Sequence, residues 1–251
     1  MSTEAAIRFK ARVAGFFYFL LFPFGALSLL ARRGLVVKGD AAATAANLLL
    51  HETSWRLGIA GDLLAAVSYV VVTALFYELF KPVSRSLALT AAFFSLVGCA
   101  TQALACVFEL IPFVALGGEP SSSAFKADQL QALAFMSLKM YGPAYKIGLV
   151  FFGLYNLMNG FLILKSTFLP RFLGIFMVIA GLPFLVFLLP LGKNLSPFAV
   201  APAAIGEGLL LVWLLVKAVD AQKWTEQAAS PLLPSPLPPL PAGEGWGEGR
   251  P

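Results

Sequence analysis

Six apolar runs, each close to the length that crosses a bilayer, dominate this 251-residue chain: 13–30, 55–80, 87–111, 143–164, 172–189 and 202–219. A hydrocarbon core of about 30 Å takes roughly 20 helical residues. The first run follows Arg8, Lys10 and Arg12 and has the look of a signal peptide. Its apolar stretch exceeds the roughly 7–15 residues of a signal core, and no small-x-small cleavage site follows. It reads as an uncleaved first span. Composition agrees, with 59% hydrophobic and 12% charged residues against about 45–50% and about 25% in soluble domains. Too little polar surface exists to cover a soluble core, so the apolar excess must face lipid.

The formal charge is +5, but the basic residues stand in ones and twos between apolar runs. Nucleic-acid binders gather theirs on one face, so lipid headgroups and topology control are the better assignment and nucleic acid is not an expected partner. Cys99 and Cys106 are seven residues apart in one run. On a helix their Cα atoms stand about 10 Å apart, too far for a disulfide.

Several boundaries have local causes. Pro143 and Pro202 suit a first helical position, where the missing N–H costs nothing. Pro112 is expected to end or bend the third span, and Pro183, after Gly181, to kink the fifth. Within the spans no two glycines are four apart, so a GxxxG contact has no candidate. Two connections have helical character: 40–50, opened by Asp40 as N-cap, and 128–136, expected to break at Gly142-Pro143. Both suit short interfacial helices. From Ser230 proline and glycine dominate, a composition that cannot build a core. The expected division is a six-span domain over 1–225 and a disordered tail over 226–251.

Orientation rests on the short turns, where charge bias acts most. Lys81/Arg85 and Lys165/Arg171 place two basic residues on each of two turns, against one, Lys193, on the turn 191–201. This puts the N-terminus in the cytoplasm, and six spans return the C-terminus there. The pair Arg32-Arg33 argues the other way.

The segments DAAATAANLLLHETSWRLGIAGDLL, KPVSRSLALTAAFFSLVG, IGLVFFGLYNLMNGFLI and FLPRFLGIFMVIAGL resemble, in order and spacing, the uncharacterised bacterial membrane proteins grouped as domain of unknown function 4386. The likeness covers about residues 8–220. It implies a multi-span protein of a bacterial inner membrane and supplies no activity. An arginine is frequent in that pattern where Ser95 stands, and a histidine where Tyr155 stands. Both departures remove charge from the interior and weaken a proton relay carried over from the family.

Ionisable groups in hydrocarbon cost on the order of 3 kcal/mol at the centre and mark function by default. Four are singled out: Asp62, Glu109, Lys146 and Glu207. Asp62 lies seven residues after Trp55, Glu207 five after Pro202, Lys146 three after Pro143, and Glu109 three before Pro112. Counted from those boundaries, all four fall in one leaflet half and form a polar layer. Glu109 and Lys146 stand near enough to span ends to snorkel. Asp62 and Glu207 are deeper, either as structural ion pairs or as a proton or ligand site. Gln102, Asn156 and Asn159 read as interhelical glue. His51 is the one histidine, outside the spans, and the chain has no HExxH, GxSxG or phosphate-cradling loop.

These observations describe an all-α polytopic membrane protein, a bundle of six transmembrane helices with one or two short interfacial helices. No catalytic residue, metal centre or cofactor is expected. Two functions stay open: a small transporter or ligand-binding protein using the acidic residues, and a structural or regulatory membrane component in which they lock helices together. Access decides between them, through whether Asp62 and Glu207 line an open cavity or a closed core.

Overall fold

A computed structural model of the chain describes residues 3–118, 124–188 and 192–230, with side chains left out for 192–200. The elements run α1 (Thr3–Ala31), α2 (Ala41–Leu50), α3 (Glu52–Phe80), α4 (Arg85–Ala105), α5 (Val107–Leu116), α6 (Ala127–Lys165), α7 (Arg171–Gly181), a 3-10 segment (Leu182–Leu188), α8 (Gly192–Val216) and α9 (Ala221–Ala229). Five units have the length and hydropathy of a span: α1, α3, α4 with α5, α6, and α7 with its 3-10 extension. The end of α8 and α9, bent by 101° from each other, qualify as a span only when taken together, which makes five spans, or six with that bent pair. The protein is a multi-pass helical membrane bundle. Its outer faces are apolar, with Phe16, Leu29, Val67, Phe93 and Val212 all exposed; in a bilayer such faces meet acyl chains.

Helix starts follow the capping rule. Asp40 accepts from the Ala43 N–H at 2.8 Å, Ser84 from Leu87, and Asp220 from Lys223. The short helix expected after Asp40 is α2, and it meets α3 at His51. The second expected short helix does not exist as a separate element. α6 runs unbroken for 39 residues with Pro143 inside it. Pro143 forfeits one bond to the carbonyl four residues back, but the part of α6 before it packs on α2 and α5, and that burial carries the helix through. In the third span the break comes at Cys106, and Pro112 lies inside α5. The fifth span changes from α to 3-10 geometry right after Gly181, because Pro183 cannot donate to the Ile179 carbonyl.

The sixth helix begins at Gly192, ten residues before Pro202. Helix continues through α9 to Ala229, and α9 is docked on the bundle. The Trp224 indole donates to the Leu79 carbonyl at 2.8 Å, and the Gln227 carboxamide accepts from the Thr167 N–H at 3.0 Å. The Pro/Gly-rich segment 231–251 lies outside the described residues.

α6 and α7 meet through glycines spaced by seven rather than four. A Cβ on Gly160 would stand 2.8 Å from the Gly174 carbonyl oxygen, and one on Gly181 would stand 2.5 Å from that of Gly153. Seven residues return a helix to nearly the same face after two turns, so Gly153/Gly160 and Gly174/Gly181 form one seam of backbone contact. Small residues drive such approach in lipid. The core beside it gathers Tyr18, Val72, Phe76, Leu162, Met177 and Leu210.

Candidate functional site: two acidic centres around one chamber

Asp62, Glu109 and Glu207 settle into two centres, at different depths in the bundle. The first lies where α1 ends and α5 begins, beside the N-terminal halves of α3 and α6. Arg32, just past α1, reaches Asp62 and Glu109 through the same nitrogen, Nη2, at 2.7 Å from each. The Asp62 contact has hydrogen-bond geometry; that to Glu109 is an ion pair without it. Nη1 donates to Ser28. The guanidinium lies 5.6 Å from the ring centroids of both Trp55 and Tyr141. Tyr141 donates to Asp62 at 3.0 Å, and the Trp55 indole donates to the Glu109 carbonyl. The Arg32 side chain is 13% exposed and that of Glu109 3%. Burial opposes the arginine charge, but the Glu109 and Asp62 carboxylates outweigh it and hold its pKa above the ordinary value.

Local sequence builds this centre. Arg32 threads past Gly58, where a Cβ would stand 2.6 Å from Arg32 Nε, and α1 comes against α3 at Gly61, where a Cβ would stand 2.8 Å from the Phe24 carbonyl oxygen. The loop before α2 is pinned, with Thr44 accepting from the Val37 N–H and Asn47 donating to the Leu35 carbonyl. Beside the centre is a vestibule of about 520 Å³ bordered by Arg32, Lys38, Trp55, Glu109, Lys139 and Tyr141. Asp62, Glu109 and Cys106 each bring a donor atom within 4.8 Å of one another. Arg32 already supplies positive charge to both carboxylates, so a metal ion there would have to compete with it.

Glu207 is the second centre. Its Oε1 accepts from Asn156 at 2.7 Å. Asn156 and Tyr141, the α6 residues that hold Glu207 and Asp62, are 15 residues apart in sequence, about 22 Å along the axis. Depth counting from Pro202 fails because α8 starts earlier, so Glu207 stands in the helix interior. Among the described residues no Lys or Arg pairs with it. The Tyr18 hydroxyl stands close to both Glu207 and Tyr69, and that of Tyr155 close to Asn159 and Thr73, but these approaches fall short of full hydrogen-bond geometry, as do those of Asn156 Oδ1 and Asn159 Nδ2. Buried polar atoms are satisfied in the great majority of cases, so five in one place are unusual.

A chamber of about 340 Å³ runs between the centres. Asp62 and Glu207 both line it, with Tyr69, Gln102 and Tyr145, and apolar walls come from Leu149, Phe152 and Phe184. Phe22, Gly25 and Ala204 also line it and are themselves exposed. The chamber therefore opens sideways between α1 and α8, through the face that meets lipid. A Cβ on Gly25 would meet nothing within 4 Å.

Of the four residues singled out from sequence, Asp62 and Glu109 meet through Arg32, and Asp62 and Glu207 share the chamber. Lys146 joins neither group among the described residues; its ammonium lies 5.4 Å from the Phe187 ring centroid. Sequence reasoning missed Arg32, taken there only as a topology signal, and the tyrosines. The available signal for Arg32 was a group of three carboxylates in one layer against a single lysine, Lys146, which left acidic charge without a partner. Ser95 and Tyr155 are both fully buried, with Ser95 bonded to Thr73.

Neither curated proteins nor solved structures show a match to this chain. The family described as domain of unknown function (DUF4386) matches residues 13–218, which include both acidic centres. The chain belongs to the DUF4386 family of membrane proteins.

Proposed function

We propose that this protein binds a small solute inside the bilayer, in the chamber between Asp62 and Glu207, as a transporter or ligand-binding membrane protein rather than an enzyme. The supporting observation is that these two carboxylates, from α3 and α8, line one open cavity. A closed core has no need of it. Its volume of about 340 Å³ lies in the range of about 300–1,000 Å³ typical of small-molecule sites, and its mostly apolar lining with a few convergent polar groups fits the same class. The Arg32 centre forms the end wall and separates the chamber from the vestibule. We place the protein in the bacterial inner membrane with both termini in the cytoplasm, on the basic residues of the turns at 81–85 and 165–171. Reporter fusions after Leu30 and after Val219 should then report opposite compartments.

Thiol labelling tests the chamber. In Gly25→Cys and in Ala66→Cys, which also lines it, N-ethylmaleimide should react at least tenfold faster than with the wild type, whose Cys99 and Cys106 are buried. Rates equal to wild type in both variants refute an open chamber. They would instead favour the structural reading, which has one specific observation behind it: Arg32 ties the end of α1 to α3, α5 and α6, as a lock would.

A further inference from the structure

We propose that the chamber takes an organic monocation with an apolar body, an amine or quaternary ammonium compound, its charge on Glu207 and its body among the aromatic walls. This rests on the chamber reading above and names what occupies it.

Charge is the first argument. Asp62 has its cation in Arg32. Glu207 has an amide donor, from Asn156, with the Tyr18 hydroxyl nearby, and among the described residues no basic side chain lines the chamber. An ionised carboxylate in an apolar surround is costly unless paired, and the missing partner is a positive charge. Orphaned atoms are the second. Tyr69 is 8% exposed, lines the chamber, and its hydroxyl has no hydrogen-bond partner. Asn156, fully buried, leaves its Oδ1 open beside the carboxylate it holds. Both oxygens can accept from an ammonium N–H or stand against its polarised methyl groups.

The walls are the third argument, and they separate an organic cation from a bare ion. Phe22, Tyr69, Tyr145, Phe152 and Phe184 line the space, and the faces of such rings attract ammonium groups through the ring quadrupole. A metal ion or proton needs neither this volume nor these rings. The mouth is the fourth. Phe22, Gly25 and Ala204 open it toward the acyl chains, a route suited to an amphipathic solute that partitions into the bilayer first. No covalent step is involved.

Benzyltrimethylammonium is the probe, compared with neutral benzyl alcohol and anionic benzoate. It should slow N-ethylmaleimide labelling of Gly25→Cys at least fivefold, while the other two leave the rate unchanged. Adding Glu207→Gln should abolish the protection without changing the labelling rate itself. The unsubstituted protein supplies an independent readout: its melting temperature in detergent should rise with benzyltrimethylammonium, and Glu207→Gln should erase the rise. Fast labelling with no cation-specific protection and no melting shift overturns the ligand class and leaves the chamber standing. Equal protection by benzyl alcohol, or protection that survives Glu207→Gln, overturns it too. Labelling no faster than wild type at both Gly25→Cys and Ala66→Cys overturns the chamber, and this proposal with it.

Discussion

Asp62 and Glu207 are both carboxylates set into apolar helices, each with a glycine just before it, yet they have opposite surroundings. Asp62 is met by a guanidinium and a phenol, within a centre that also takes up Glu109. Glu207 is met by one amide, and the polar atoms around it lack partners. One centre carries its own cation and joins four helices, although Arg32 Nε and one Glu109 oxygen make no hydrogen bond there; the other has no cation among the described residues. An acidic residue in a span is thus not one kind of evidence. Whether its surroundings compensate it separates framework from site.

The contrast breaks most readily at Arg32. Arg32→Ala strands two buried carboxylates and should lower unfolding stability in detergent by about 3–5 kcal/mol, as when one member of a buried ion pair is removed. A loss under about 1 kcal/mol would show that this centre is not framework. Removing the carboxylates as well sharpens the point. Arg32→Ala with Asp62→Asn and Glu109→Gln should recover about 1–3 kcal/mol of the loss, since the stranded charges are what cost; a deficit at least as large as in Arg32→Ala alone would mean that lost packing dominates.

Tyr141→Phe removes one hydrogen bond to Asp62 and should cost about 1.5–3 kcal/mol, the range for a bond to a charged group, measured by chemical denaturation. No change would imply that Arg32 alone satisfies Asp62. The smallest effect belongs to the other centre. Glu207→Gln keeps an oxygen for Asn156 to donate to and removes an ionisable group that has no basic partner among the described residues, so stability should stay within about 1 kcal/mol of wild type or rise. A loss as large as that of Arg32→Ala would erase the difference between the centres.

The fold was largely legible. Span count, the helix capped by Asp40 and the change of geometry at Pro183 follow from run length, side-chain oxygens and a missing N–H, which are local causes. Pro143 and Pro112 were less informative, since a proline's local cost is of order 3 kcal/mol and packing of α6 on α2 and α5 can exceed it. The glycine seam escaped a search for spacing of four because spacing of seven presents the same face. Asp62 and Glu207 stood out as the deeper charges, and Lys146, set nearer a span end in the sequence, lies at Phe187 and joins neither centre among the described residues.

By itself the sequence determined that this chain lives in a bilayer, roughly where its spans lie and that Asp62 and Glu207 sit within them, because transfer of apolar and charged groups between water and lipid depends on local composition. It left Glu109, 3% exposed in the bundle, to snorkel at a span end. Tertiary structure decided what those carboxylates mean. Arg32 is 30 residues from Asp62 and 77 from Glu109, and Asn156 is 51 from Glu207. Coulombic pairing and cavity shape depend on distance in space, which helix packing sets, so the cation that closes one centre and the chamber that leaves the other open exist only in the folded bundle.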